Sequence, residues 1–314
     1  MSDELAAGYD VIVIGGGAAG LNGALMLARS KRSVAVIDAG VPRNAPADGV
    51  HGLLGHDGVP PLELLRRGVA EVRSYGGTVV DGEAAELSGI AGDFEVALHD
   101  SRRVRARRLL VTTGLVDELP AIPGLRERWG KDVVHCPYCH GWEVRDRPIG
   151  VLATGPMSVH QALLFSQLSG DVLLFRGDVE LAAEQEAQLG ARGVRIVDGP
   201  VAQVVVENDE IAGVRLVDGS IVDRRVIVVA TRMVARGDFL AGIGVSLVEH
   251  PSGMGVHLPV DPTGRTEVPG VWAAGNVTDL TAQVGASAAA GAMAGAQINA
   301  DLVMEEVAAA LAVP

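Results

Sequence analysis

The sequence predicts an α/β protein with two Rossmann-like, three-layer nucleotide-binding domains, one inserted within the other. Three observations predict it. YDVIVIG, GGGAAG, a helix-like run and SVAVID follow one another between Tyr9 and Asp38 as strand, glycine turn, helix and strand. A second unit of this pattern starts at RPIGVLATG and reaches DVLLFRG, ending at Gly177. The chain then returns to segments of the first style near HLPVDP and VPGVWAAGNVTD. Its 314 residues and 32.4 kDa exceed what one core usually spans. The expected boundaries are 1–116 with 246–314 for the first domain, and 117–245 for the insert.

The elements can be read in order. YDVIVIG is a run of β-branched apolar residues, as a buried parallel strand requires. LNGALMLARSK has helical spacing, and SVAVID is the next strand, so a right-handed crossover joins parallel strands. Ala39–Pro61 carries too many Gly and Pro to form an element. PLELLRRGVAEVRSYG is an amphipathic helix; TVVDGEAAEL, FEVALHD and VRARRLLVTTG are strands. In the insert, MSVHQALLFSQLSG is a helix, followed by strands DVLLFRG, VRIVDGPV, QVVVEN, GVRLVDG and DRRVIVVAT. GASAAAGAMAGAQINADLVMEEVAAAL is a small-residue-rich final helix.

Composition excludes several classes. With 26 Lys+Arg against 39 Asp+Glu, the net charge is −13, so no basic footprint for nucleic acid exists. No apolar run approaches the roughly 20 residues of a bilayer span. MSDELAAGYD is acidic and leads into a strand, unlike a secretory signal. The two cysteines, Cys136 and Cys139, are too close together to staple a secreted fold. A cytoplasmic protein without a membrane partner is expected.

Gly15, Gly17 and Gly20 form GxGxxG between a strand and a helix, with Ala18 and Ala19 opening the helix. The first glycine permits the tight turn, the second the approach of a pyrophosphate, the third close helix–strand packing. Helix N–H groups and dipole then face the phosphates. Asp38 lies 23 positions after Gly15, where a carboxylate meets ribose hydroxyls. Two further strand ends close on glycine, at Gly114 and at Gly275 followed by Asn276. Three such segments in order suit a long dinucleotide, and point to FAD.

HCPYCHGWE is the chemical centre. Thiols three positions apart close a disulfide, and a helix start favours thiolates. Pro137 suits the first turn of that helix. His135, Cys136, Cys139 and His140 are also four potential metal ligands. Adjacent residues seldom chelate one tetrahedral ion, and no second CxxC or HxxxH exists, so no metal is expected. His51 and His56, in the glycine-rich loop, could face the same site, but a lone loop histidine is more often solvated, and neither is counted among the site residues.

GGGAAG, VTTG, CPYC and VPGVWAAGNV, in that order, resemble the low-molecular-weight thioredoxin reductase family of flavoproteins over nearly the whole chain. The resemblance implies FAD held by the first and last segments. It places Gly275 and Asn276 by the ribityl and phosphate groups, with Asn276 where the family usually has Asp, and Gln283 at the isoalloxazine edge. It also implies that Cys139 faces the flavin, that Cys136 exchanges with substrate, and that the protein is a homodimer. His140 departs from the family's Asp; a histidine moves the same proton. CPYCHG is similar to the FAD-dependent dithiol oxidase branch, which closes disulfides in small dithiols and passes electrons to oxygen.

NADPH-using relatives carry GGGxxA and HRR in the second nucleotide unit. Here the strings are ATGPMS and FRG, leaving Gly155 and Arg176. Ala153 adds a Cβ and Pro156 removes a donor, so tight NADPH binding is not expected. The predicted function is an FAD-dependent thiol–disulfide oxidoreductase, a dithiol oxidase acting on a small molecule. The alternatives are an NADPH-dependent disulfide reductase serving a thioredoxin-like protein, and a non-catalytic flavin redox sensor.

Overall fold

The computed structural model describes residues 3–155 and 157–312. The chain divides into two compact units, one of residues 1–45, 59–116 and 233–314, the other of residues 46–58 and 117–232.

The first unit is built on a seven-stranded sheet. Its parallel heart pairs Gly8–Ile14 with Val34–Asp38 on one side and with Arg103–Val111 on the other. Val11–Val13, Val34–Val36 and Leu109–Val111 are all buried, which is why these strands read as continuous apolar runs. Thr78–Asp81 extends the sheet beyond Val34–Asp38. Arg103–Val111 splits its other edge between an antiparallel neighbour, Asp93–Leu98, and a parallel one, Val271–Ala273. The helices Ala18–Arg29 and Val284–Leu311 pack on this sheet, burying Leu27, Ile298 and Leu302 with Trp272. They approach so closely that a Cβ on Gly291 would stand 1.9 Å from the Ala19 carbonyl oxygen.

The second unit carries a five-stranded parallel sheet, in the order Arg195–Asp198, Val172–Gly177, Ile149–Leu152, Val226–Val229, Val133–Val134. A three-stranded antiparallel meander, Val201–Glu207, Glu210–Leu216 and Ile221–Asp223, stands beside it in the chain. Phe175, Ile227 and Leu152 of the parallel sheet share a core with Val204, Ile211 and Val214 of the meander. Both units are α/β nucleotide folds, as the strand–turn–helix patterns predict.

Two stretches lie elsewhere than expected. Residues 233–245 cluster with the first unit, because Ala235, Leu240 and Val245 are buried in the core of Leu87 and Phe94. Residues 46–58 cluster with the second unit, where Pro46 meets Gly130. The helix Ala183–Ala191 has no counterpart in the sequence reading; it buries Leu189 alone, so no apolar period announces it.

Candidate active site

The first unit assembles a cradle from the glycines of the opening strand and helix. Gly15 has φ +106°, and a Cβ there would lie 2.4 Å from the Thr112 carbonyl oxygen. Gly20 is as constrained: its Cβ would fall 1.9 Å from the Gly15 oxygen. Thr112 Oγ1 donates to that same oxygen at 2.7 Å, locking the turn to the neighbouring strand. Gly17 caps the helix in extended conformation with no side-chain hydrogen bond, and nothing lies within 4 Å of where its Cβ would be. The N–H groups of the first turn, at Ala18, Ala19 and Gly20, therefore meet no capping side chain, which is the arrangement that receives a phosphate.

Asp38 ends the second strand and accepts from the Gly16 N–H at 3.0 Å, beside the turn. Gly275, at φ +81°, brings its Cα against Ala19, where a Cβ would be 2.9 Å from the alanine Cβ. Gly114, at φ +69°, lies three residues beyond the strand whose Val111 pairs with Ile14 and directly before the strand Leu115–Glu118. Asn276 Nδ2 donates to the carbonyls of Asp279 and Ala282, both at 2.9 Å. An aspartate could not make those bonds, so the asparagine ties down the loop that leads to Gln283. Gln283 caps the long final helix, again without a side-chain bond. Glycines forbidden a Cβ, an open helix start and a carboxylate at the second strand together fit a dinucleotide such as FAD.

The second unit carries the sulfurs. Cys136 and Cys139 are joined in a disulfide, with Cα atoms 5.3 Å apart. Pro137 opens the single turn Pro137–His140, and Cys136 Sγ caps it by accepting from the Cys139 N–H at 3.2 Å. The same N–H stabilises a Cys136 thiolate once the bond opens. Gly141 follows because a Cβ there would strike the Pro137 oxygen at 2.2 Å and Leu168 Cδ1 at 2.4 Å. Gln161 Nε2 holds the His135 carbonyl at 2.7 Å, fixing the approach to Cys136. Burial pushes the His140 imidazole below its ordinary pKa, against the upward pull of Glu143 and Asp48, while His51 adds to the lowering. Burial thus favours the neutral imidazole at His140.

The second nucleotide loop is closed on itself. Ser158 Oγ accepts from the N–H groups of Thr154 and Gly155, at 3.0 and 3.3 Å. Arg176 meets Glu186 at 3.3 Å and Asp198 at 2.5 Å. Pro156 lies outside the described residues.

The match to known proteins now adds to this geometry. Residues 9–296 match the family model described as pyridine nucleotide-disulphide oxidoreductase. The chain belongs to that family. Within it, the chain is 31% identical over 309 residues to thioredoxin reductase sirT of Leptosphaeria maculans, covering 93% of each protein. It is 33% identical over 311 residues to thioredoxin reductase tcpT of Claviceps purpurea, covering 93% of this chain and 95% of that one. The crystal structure of HlmI superposes with a TM-score of 0.91 at 45% identity, over 99% of this chain and 98% of that one. An oxidoreductase from Agrobacterium tumefaciens gives 0.88 at 35% identity, over 94% and 99%. This family member is a thioredoxin reductase-like, FAD-dependent disulfide oxidoreductase with a CxxC disulfide.

The sequence reading missed three groups. His51, not counted among the site residues, sits 3.5 Å from both Asp57 and Glu143. Asp48 faces His140 from the same loop. Ser158 shuts the second loop. Only the last had a local signal, a serine three residues after a glycine turn.

Proposed function

We propose that this oxidoreductase is a dithiol oxidase: it closes a disulfide in a small-molecule dithiol, with oxygen as final acceptor and no pyridine nucleotide. The observation that carries the reading is the self-satisfied second nucleotide loop. Where a bound dinucleotide would place a phosphate, Ser158 already takes the two N–H groups. The one arginine left to grip a 2′-phosphate is neutralised by two carboxylates. His140, in place of the family's aspartate, supports the same direction of flow.

A substrate thiolate attacks Cys136 Sγ, forming a mixed disulfide and breaking the Cys136–Cys139 bond. Cys139 leaves as thiolate. The second substrate thiol, giving its proton to His140, attacks the substrate sulfur; the product disulfide departs and Cys136 leaves as thiolate, steadied by the Cys139 N–H. The electron pair now rests on the two cysteines. FAD, when bound in the first unit, supplies a two-electron acceptor that reacts with oxygen. Giving up that pair re-forms the Cys136–Cys139 bond; the proton held by His140 and the one the first substrate thiol lost to solvent in becoming the thiolate complete the peroxide, so the net change is one dithiol and one oxygen to one disulfide and one hydrogen peroxide.

The test is turnover in air without added nicotinamide. One oxygen consumed and one peroxide formed per dithiol closed supports the reading. No oxygen uptake with any small dithiol, together with rapid NADPH oxidation, overturns it.

A further inference from the structure

The segment that carries the sulfurs is tied at both flanks to one helix and the turn that follows it. The helix Met157–Phe165 buries Val159, Ala162 and Phe165 in one core with Val134 and Val144, the apolar residues on either side of the CxxC turn. Before the cysteines, Gln161 Nε2 donates to the His135 carbonyl at 2.7 Å. Beyond them, the Asp146 N–H donates to the Leu168 carbonyl at 3.0 Å, and Ser169 Oγ donates to the Arg147 carbonyl at 2.6 Å. Leu168 also closes on Gly141, where a Cβ would stand 2.4 Å from its Cδ1.

Gln161 is the unusual member of this set. Its side chain is buried, and its carbonyl partner fixes which end of the amide is the nitrogen. The other end, Oε1, is buried and meets no hydrogen-bond donor among the described residues. A buried amide oxygen without a donor costs stability, and a helix position that served packing alone is filled at no such cost by Leu or Met. What the amide gains is the His135 carbonyl, which shares one rigid peptide plane with the Cys136 N–H. The next plane is fixed as well, because the His140 N–H donates to the Cys136 carbonyl at 3.2 Å. The Cys136 Cα therefore sits between two anchored planes. Its Sγ, which accepts from the Cys139 N–H, keeps only the side-chain torsion χ1.

We propose that Gln161 is a positioning residue of the redox disulfide: by pinning the peptide before Cys136 it holds that sulfur within reach of Cys139, and so sets how strongly the pair favours the closed bond. Holding two thiols together raises their effective concentration for each other. That favours the disulfide over the open dithiol and speeds its re-formation after each exchange. The inference needs only the disulfide chemistry of the family, so it stands for electron flow in either direction.

The experiment equilibrates the FAD-loaded protein, without oxygen, in mixtures of reduced and oxidised dithiothreitol. Two electrons and two protons pass from the reagent's two thiols, which close into its cyclic disulfide, to Cys136 and Cys139, which open as thiols. Acid quenching, alkylation and mass spectrometry then count the open pairs, and the chain has no other cysteine to confuse the count. Gln161→Met removes the donor, keeps the volume and disposes of the orphan oxygen. Its equilibrium is expected to move toward the dithiol by about three- to ten-fold, the worth of one hydrogen bond, while the urea midpoint of the oxidised protein stays where the wild type has it. Val159→Ala, in the same helix and core, should do the reverse: the cavity lowers the urea midpoint and the disulfide equilibrium does not move. An unmoved equilibrium in Gln161→Met overturns the proposal, as does a shift of the same size in Val159→Ala. A Gln161→Met protein that fails to fold, or loses as much stability as Val159→Ala, assigns Gln161 to the fold and overturns it too.

Discussion

Burial favours the neutral imidazole at His140, so its replacement should remove a base rather than a charge. His140→Asn is expected to slow dithiol-driven bleaching of bound flavin by about 10²-fold, the low end of general-base effects. The residual rate should lose its inflection below neutrality, as stopped-flow absorbance across pH would show. The glycines of the cradle separate folding from binding in the same way. At Gly20 a Cβ would overlap the Gly15 oxygen at 1.9 Å, whereas at Gly17 it meets nothing within 4 Å. Gly20→Ala should therefore destabilise the protein by about 1–3 kcal/mol. Gly17→Ala should keep its urea midpoint as apoprotein and lose affinity for FAD. Equal loss of stability in both would contradict the assignment of the open position to the ligand.

At the scale of elements, the long terminal helix is tied to the sheet by charge. It presents Asp301, Glu305 and Glu306 to arginines of a neighbouring strand. Arg107 contacts Asp10 and both glutamates, and buried Arg108 contacts Asp301 at 2.7 Å and Glu305. The arginine hydrogen bonds hold the Glu305 carboxyl below its ordinary pKa. A lowered carboxylate stabilises the fold above its unfolded value of about 4.3, and that contribution is lost as pH falls through the lowered value. Arg108→Met should thus weaken the protein by about 1–2 kcal/mol at pH 7, the partners being partly solvated. It should also flatten the decline of stability between roughly pH 5 and 3 in circular-dichroism unfolding. In the other unit, Ser158→Ala frees the N–H groups of Thr154 and Gly155. A loss of about 1 kcal/mol is expected, with no gain of NADPH-driven flavin reduction while Arg176 stays paired.

For the whole molecule, the sequence carried what is local. The buried strands announced themselves as β-branched runs, and GxGxxG needed only its flanking strand and helix. CPYC placed the sulfurs, and the single turn with Pro137 first and Cys136 as cap is where spacing put it. What escaped depends on contacts distant in sequence. The loop of residues 46–58 reads only as part of a turn-rich stretch without an element, and nothing local in it tells that Pro46 meets Gly130 or His51 meets Glu143. Arg176 looked like a surviving phosphate ligand until Glu186 and Asp198 closed on it. Residues 233–245 carry too short an apolar pattern to reveal which core takes Leu240 and Val245. Asn276 read as a cofactor contact by resemblance; that its Nδ2 also holds the carbonyls of Asp279 and Ala282 had no local signal.

The most direct test is anaerobic mixing of the FAD-loaded protein with either a small dithiol or NADPH, followed at the flavin absorbance band. The account predicts that the dithiol bleaches the band within turnover time, that admitting air restores it, and that NADPH leaves it unchanged. Fast bleaching by NADPH, with none by dithiol, would contradict it.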